Sequence, residues 1–166
     1  MPKPVLVIST LDTKGQETLY LKDKLSAIGL SPAVMDISGR GSDIAGIESP
    51  AARVAEAGGG DFEEMKNSRD RTRITNIMMS GGAQIAADLL ADGKLSGVVA
   101  LGGSTGSLMG SEIMRSLPFG IPKVMISSTA ALPGLSTRYI GTGDIALFHS
   151  VVEISGVSDL LKNVMD

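Results

Sequence analysis

The chain of 166 residues contains no cysteine, no tryptophan and a single histidine. The absence of cysteine excludes disulfide bonds, a thiol nucleophile and zinc sites built on thiolates. One histidine cannot supply a histidine-cluster metal site or a pair of catalytic histidines. No metal site is predicted, and the chemistry of the protein must rest on hydroxyl, carboxylate, amino and guanidinium groups and on the backbone.

Aromatic residues make up only 3% of the chain, and the formal net charge is −3, with acidic and basic residues mixed along it. A nucleic-acid surface needs a basic patch and often aromatic platforms for base stacking, so nucleic acid is not an expected partner. No apolar run reaches the roughly eighteen residues of a membrane-spanning helix, and the apolar stretch near the start is too short for a signal peptide. These patterns predict no membrane partner and a cytoplasmic location.

The apolar residues lie in short continuous runs separated by helical patterns. A chain of this length predicts one domain, over residues 1–166. Continuous runs are typical of parallel strands buried on both faces. Their alternation with helices predicts an α/β fold, a Rossmann-like, doubly wound, mostly parallel sheet of about five strands with helices on both faces. The predicted strands are Val5–Ile8, Ala33–Ile37, Val98–Leu101, Val124–Ile126 and, as a weaker candidate, Arg138–Ile140.

The helical patterns differ in clarity. In the first, Thr13 with Gln16 three residues later matches a capping box, and Gly29 stands where a helix commonly ends. The stretch over 40–60 shows no clear period and is predicted to be a long loop. The other predicted helices cover 67–91, 106–116 and 144–164. His149 falls in the last of these, and we interpret it as a packed or surface residue rather than a catalytic base.

A glycine-rich loop follows the third predicted strand and leads directly into a helix. In open α/β sheets, ligands bind at the carboxyl ends of strands, where helix N-termini direct free N–H groups outward. Glycines there would let the backbone approach an anion closely. The loop is not the dinucleotide fingerprint, because Leu101 replaces its first glycine, and it is not a P-loop, because no Lys-Ser/Thr pair follows. Its residues are Gly102, Gly103, Ser104, Thr105 and Gly106.

Other loops offer groups suited to the same anion or to a sugar. Hydroxyl and ammonium groups after the first strand suit a phosphate or a carboxylate, and a carboxylate that ends the second strand could accept hydrogen bonds from ribose hydroxyls. For each of these residues, a structural role in capping or turn formation remains open. The candidates are Thr10, Asp12, Thr13 and Lys14 after the first strand, Asp36, Gly39 and Arg40 at the second, Ser127, Ser128 and Thr129 after the fourth, and Asp144 after the fifth.

Several segments, taken in order, resemble one protein family. They are 10–15 (TLDTKG), 102–106 (GGSTG), 122–127 (PKVMIS) and 139–145 (YIGTGDI), with a further likeness over 150–156. The family is the largely uncharacterised bacterial, fungal and plant group whose best-known member is the tomato mosaic virus resistance protein, and the resemblance is to its ATP-binding amino-terminal domain. Segment 42–73 is the least similar part, and nothing is carried over to it.

The resemblance implies a Rossmann-like subdomain that binds a nucleotide, ATP with or without Mg²⁺, and that forms a homo-oligomer. It also implies a second α/β half in longer relatives, so that the chain would be the first subdomain of a larger protein. Two other functions remain open. One is an enzyme acting on a phosphorylated or carboxylated metabolite, with Asp12 or Asp144 as acid–base group and Lys14 as an electrostatic clamp. The other is a protein-interaction module.

Overall fold

The structure, a computed structural model, describes residues 3–152 and 156–166. The strands in this part of the chain are β1 (Val5–Ser9), β2 (Pro32–Asp36), β3 (Gly97–Gly102), β4 (Lys123–Ser127) and β5 (Ala146–His149). The helices are α1 (Leu11–Ala27), α2 (Ala51–Ala57), α3 (Phe62–Asn67), α4 (Arg71–Ala91), α5 (Ser104–Ser116), α6 (Leu135–Ile140) and α7 (Asp159–Met165). None of these helices has the length and apolar character needed to cross a membrane.

The five strands form one parallel sheet in the order β2-β1-β3-β4-β5. The predicted α/β, Rossmann-like class is therefore confirmed. The chain moves outward from β1 to β2 and then returns to the other side of β1 to form β3. At this switch point the adjoining helices leave towards opposite faces, which opens a crevice at the carboxyl ends of the strands.

Two apolar clusters cover the opposite faces of the sheet. Leu6 and Ile8 of β1 belong to the larger cluster, which includes residues of α2, α4 and α5. Val7, between them, belongs to the cluster that includes residues of α1 and α7. This alternation follows from the two-residue period of a strand. Methionine fills much of the space that aromatic residues occupy in other cores. The methionines with 0% exposure are Met35, Met78, Met114 and Met125.

The predicted strand at Arg138–Ile140 is wrong, because these residues form the end of α6. Tyr139 is buried there. The Arg115 guanidinium donates hydrogen bonds to the carbonyl oxygen of Tyr139 and, at 3.0 Å, to that of the preceding residue. Gly141, with φ of 54°, then ends the helix and turns the chain towards β5. Tertiary contacts thus outweigh the strand propensity of this segment.

The predicted helix over 144–164 is also wrong over most of its length. Its first part is β5, which places His149 at the end of an edge strand, where it is exposed. Only α7 is helical, and the Ser158 Oγ that caps it accepts a hydrogen bond from the Leu161 N–H at 3.2 Å. Residues 153–155 of the predicted helix lie outside the described residues.

Two further corrections concern the first half of the chain. α1 begins at Leu11, with Thr10 as its N-cap, so the predicted capping box at Thr13 and Gln16 is wrong. Thr13 Oγ1 instead donates a hydrogen bond to the Thr10 carbonyl oxygen at 3.3 Å. The predicted loop over 40–60 contains α2, a short helix whose buried side chains pack in the larger cluster.

Candidate functional site

A cleft of about 980 Å³ lies at the carboxyl edge of the sheet, beside the switch point between β1 and β3. Its volume is at the upper end of the range usual for small-molecule sites. We call it the switch-point cleft. Ten of the residues predicted from the sequence line it. They are Thr10, Asp12, Thr13, Lys14, Gly39, Arg40, Gly103, Ser104, Thr105 and Gly106.

One wall of the cleft is the turn that joins β3 to α5. The helix begins at Ser104, two residues earlier than predicted, and Gly103 is its N-cap, with no side chain capping the helix. The N–H groups of its first turn can therefore bind an anion, which the helix dipole favours at this end. The turn is tight, since a Cβ on Gly102 would lie 2.7 Å from the carbonyl carbon of Gly106.

The turn that joins β1 to α1 lies next to this wall. A Cβ on Gly106 would lie 3.4 Å from Thr10 Oγ1, so the two turns are in close contact. The backbone departs from helical geometry at Lys14, with φ of −124° and ψ of 24°, which separates the first turn of α1 from the rest of the helix. Lys14 Nζ lies 3.2 Å from Oε1 of the buried Glu17. A buried carboxylate thus holds this ammonium group at the cleft.

The other side of the cleft comprises the loop after β2 and the α3–α4 connector, which we define as residues 66–71. Two glycines of this loop, which have no side chain, let α3 and α4 pack closely against it. A Cβ on Gly39 would lie 2.5 Å from Ile74 Cγ2 at the start of α4, and a Cβ on Gly41 would lie 2.9 Å from Phe62 Cζ in α3. The helices at both ends of the connector therefore pack against the loop after β2, and residues of the loop and of the connector line the cleft together.

Sequence reasoning missed several residues of this second wall. Four of the six polar residues missed lie in segment 42–73, which shows the weakest family resemblance. A signal was present, because residues 66–73 contain four basic side chains in eight positions. Charges between two helices are ordinarily solvated, and only the tertiary structure shows that three of the four, Lys66, Arg69 and Arg71, line the cleft. The polar residues missed are Ser38, Lys66, Ser68, Arg69, Arg71 and Thr75.

The switch-point cleft carries an excess of positive charge. Five basic residues and one acidic residue line it, whereas the whole chain has a net charge of −3. Lys14 and Lys66 pair with glutamates, at 3.2 and 2.8 Å. The other three basic residues have no carboxylate within ion-pair distance in the part of the chain that the structure describes, and they are Arg40, Arg69 and Arg71. This distribution favours an anionic ligand.

Asp12 is the acidic residue that lines the cleft. Partial burial raises the pKa of its carboxyl above the ordinary value, and the nearby charge of Asp36 raises it further. Hydrogen bonds from Thr13 and the charge of Arg40 act in the opposite direction. A cation bound beside Asp12 would lower this pKa, whereas an anion would raise it further.

Asp36, a predicted ribose contact, does not line the cleft. Its side chain is buried, and its Oδ1 accepts hydrogen bonds from the N–H groups of Leu11 at 3.1 Å and Ser38 at 2.9 Å. One carboxylate oxygen thus satisfies a backbone donor at the start of α1 and another in the β2 loop. The geometry supports a positioning role, in which Asp36 joins the two turns on which the cleft is built.

None of the three hydroxyl residues predicted after β4 lines the cleft, and two of them, Ser127 and Thr129, belong to a buried chain of hydrogen bonds. Ser107 Oγ donates to Ser127 Oγ at 2.6 Å, and Thr129 Oγ1 lies 3.2 Å from Ser127 Oγ and 2.7 Å from Tyr139 Oη. The Ser128 N–H donates to the carbonyl oxygen that ends β3, at 3.2 Å. These bonds join α5, α6 and the ends of two strands, so this cluster supports the cleft from within the core.

Asp144 lies two residues before β5, at the amino edge of the sheet and so at the end opposite to the cleft. Its Oδ1 is 2.6 Å from Nζ of Lys123, the first residue of β4, and its Oδ2 accepts a hydrogen bond from the Gly120 N–H at 2.8 Å. The expectation that Asp144 faces the other loops is wrong, because it depended on a misplaced fifth strand. Asp144 therefore cannot act as an acid–base group in the switch-point cleft.

Replacing Asp144 by asparagine is expected to lower the melting temperature by several degrees at neutral pH. Lys123 is buried, and the hydrogen bond from its ammonium group, more than that from Gly120, holds the pKa of Asp144 below its ordinary value. A carboxyl with a lowered pKa contributes stability above its unfolded pKa and loses it as pH falls through its folded pKa. Thermal melts of the variant and wild type should therefore converge in strong acid.

The control for this prediction is Asp92→Asn. Asp92 also pairs with a lysine, Lys94, at 2.9 Å, but both side chains are exposed. Exposed pairs contribute little to stability, so this variant should melt with the wild type at every pH. Equal melting temperatures of Asp144→Asn and the wild type at neutral pH would contradict the prediction.

Comparison with known proteins identifies the family. The N-terminal domain of the uncharacterised protein family UPF0261 matches residues 3–166. The chain belongs to this family. A UPF0261 protein of Clostridium tetani is 36% identical over 165 residues, which cover 99% of the chain and 40% of that protein. A UPF0261 protein of Rhizobium meliloti is 31% identical over 163 residues, which cover 98% of the chain and 39% of that protein.

A plant relative confirms the resemblance inferred from the motifs. The ToMV resistance protein Tm-1 of Solanum lycopersicum is 32% identical over 176 residues, which cover 97% of the chain and 23% of that protein. This UPF0261 domain thus spans about two fifths or less of the length of these relatives. Self-association and the presence of a second α/β half stay predictions.

Proposed function

We propose that the switch-point cleft of this UPF0261 domain binds a nucleotide, specifically ATP, with its phosphates at the N-terminus of α5. The observation that carries the proposal is the uncapped first turn of α5, which follows the tight turn at Gly102 and opens into a positively charged cleft. Free N–H groups at such a turn complement phosphate oxygens. The volume of about 980 Å³ is sufficient for a ligand of this size.

The parts of a nucleotide match different groups of the cleft. Ser104 and Thr105 are exposed and would donate hydrogen bonds to the phosphates, with Lys14 as a nearby positive charge. No group of three or more carboxylate or histidine side chains suited to a metal lies within residues 3–152 and 156–166. Mg²⁺ would therefore be held mainly by the phosphates, with Asp12 as its protein carboxylate, which is a common arrangement for this ion. The base would contact apolar residues among Ile37, Met65, Ile74 and Met109.

Replacing Gly103 by valine is expected to remove most ATP binding. A branched side chain at the N-cap would occupy space that phosphate oxygens need to reach the first turn of α5. Isothermal titration calorimetry should give an affinity for ATP at least about tenfold lower in the variant, a loss of about 1.4 kcal/mol. Ala146→Val places the same side chain at an exposed position on the opposite edge of the sheet and should bind ATP like the wild type.

Two results would contradict this proposal in different ways. If ATP does not bind the wild-type chain, the cleft is not a nucleotide site. If ATP binds Gly103→Val and the wild type equally, the phosphates do not lie at the N-terminus of α5. Adenosine, which lacks phosphates, should bind far more weakly than ATP, because the proposed contacts are to phosphate oxygens.

A further inference from the structure

Ser38 is a buried residue of the cleft whose hydroxyl group has no hydrogen-bond partner. Its exposed fraction is 1%, it lines the switch-point cleft, and its Oγ contacts no donor or acceptor among the described residues. Its backbone is fixed, because its N–H donates to Asp36 Oδ1 at 2.9 Å. The other such hydroxyls in the described ranges, those of Ser42 and Ser128, do not line the cleft. Since buried hydroxyls are nearly always hydrogen-bonded, Ser38 Oγ indicates a ligand atom as its partner.

Three arginines line the cleft together with Ser38. Arg40 follows it by two residues, and Arg69 and Arg71 lie on the α3–α4 connector, whose two flanking helices pack against the same loop. The planar fork of an arginine binds two oxygens of a phosphate at once. Asp70, between two of these arginines in sequence, does not line the cleft, and its Oδ1 accepts a hydrogen bond from the Arg73 N–H at 2.9 Å as the cap of α4. We call Ser38, Arg40, Arg69 and Arg71 the arginine wall.

The arginine wall and the α5 turn lie on different sides of β1. Ser38 and Arg40 follow β2, whereas the α5 turn follows β3, and these two strands flank β1. Neighbouring strands lie about 4.8 Å apart, so the ends of β2 and β3 are separated by roughly 10 Å. This spacing suits two anionic groups, one at each place.

The positive charge without an ion-pair partner in the cleft belongs to the arginine wall. Lys14 and Lys66 pair with glutamates, so the basic lining residues that have no carboxylate within ion-pair distance in the described ranges are Arg40, Arg69 and Arg71. Guanidinium groups are suited to a phosphate monoester, which carries a charge of about −1.5 to −2 at neutral pH.

We propose that the arginine wall is a second anion subsite, which binds the phosphate group of a phosphorylated small molecule beside the nucleotide. The phosphate accepts a hydrogen bond from Ser38 Oγ and pairs with the guanidinium groups. This inference rests on the proposed function for the identity of the neighbouring ligand. The subsite itself is built from residues that the α5 turn does not use.

Inorganic phosphate is the probe, titrated by calorimetry into the wild-type chain alone and into the chain saturated with ATP and Mg²⁺. Phosphate should bind in both cases, and acetate should bind at least roughly tenfold more weakly, because it offers fewer oxygens and less charge. In Arg69→Gln/Arg71→Gln, the affinity for phosphate should fall at least about tenfold, and several times more than the affinity for ATP. In Gly103→Val, the affinity for ATP should instead fall more than the affinity for phosphate. Ser38→Ala should weaken phosphate binding and leave ATP binding unchanged.

The matched control is Lys3→Gln/Lys94→Gln, which removes two exposed positive charges at the amino edge of the sheet and should leave both affinities unchanged. Three results would overturn the subsite: no phosphate binding to the wild type, displacement of ATP by phosphate, or equal losses of ATP and phosphate affinity in the double arginine variant. Phosphate binding that depends on the arginines, in a chain that does not bind ATP, would instead overturn the nucleotide assignment and leave the subsite standing.

Discussion

Replacing Gly81 by alanine is expected to destabilise the protein by about 3 kcal/mol. A Cβ at this position in α4 would lie 1.8 Å from the carbonyl oxygen of Val54 and 2.8 Å from the backbone nitrogen of Gly58. These are backbone atoms of α2 and its C-cap, which cannot rotate away, so the two helices must separate. Alanine also gains about 1 kcal/mol over glycine in a helix interior, so the measured loss understates the steric cost.

Urea unfolding followed by circular dichroism measures this loss, and two neighbouring positions provide controls. Ser80→Ala changes an exposed side chain on the same helix and should alter the free energy of unfolding by less than about 0.5 kcal/mol. Gly82→Ala would place a Cβ 2.4 Å from Ile113 Cδ1, the tip of a flexible side chain, and should cost less than Gly81→Ala. Equal losses at the two glycines would contradict the contact between backbones as the cause.

This pair of glycines shows where a sequence pattern is ambiguous. Glycines inside a helical pattern indicate either a weak helix or a close approach of another backbone, and only the structure, in which α4 runs without a break over Arg71–Ala91, decides between them. β1 to β4 could be predicted because strands buried on both faces are continuous apolar runs. β5 could not, since it is a four-residue edge strand with three exposed residues, and its short apolar run fits a helix equally well.

The candidate site, like the fold, could be predicted only in part from the sequence. The turns after β1 and β3 could be placed together from the sequence, because the carboxyl ends of parallel strands share one edge. The α3–α4 connector could not, because its charges have the pattern of a solvated surface and only the packing at Gly39 and Gly41 brings it to the cleft. The sequence likewise could not predict that the hydroxyl of Ser38 lacks a hydrogen-bond partner, since any hydrogen bond it makes depends on the tertiary structure.

Replacing Asp36 by alanine is expected to destabilise the protein by about 3 kcal/mol and to weaken ATP binding. Removing the carboxylate leaves the N–H groups of Leu11 and Ser38 without their acceptor, and an unsatisfied buried donor costs about 1–3 kcal/mol. The same change releases the turn after β1 from the loop after β2. Both turns line the switch-point cleft, so the loss of order should appear in the calorimetric titration as well as in urea unfolding.

Asp36→Asn separates positioning from direct contact. Its amide oxygen can accept the same two hydrogen bonds, so most of the stability and of the ATP affinity should be retained. Because the charge of Asp36 helps to raise the pKa of Asp12, that pKa should fall towards its ordinary value in the variant, which an NMR titration of the Asp12 carboxyl measures. If Asp36→Asn keeps its stability but loses as much ATP affinity as Asp36→Ala, the carboxylate contacts the ligand, as the sequence pattern predicts for a ribose-binding acid. If it keeps both, Asp36 acts through the two turns that it joins.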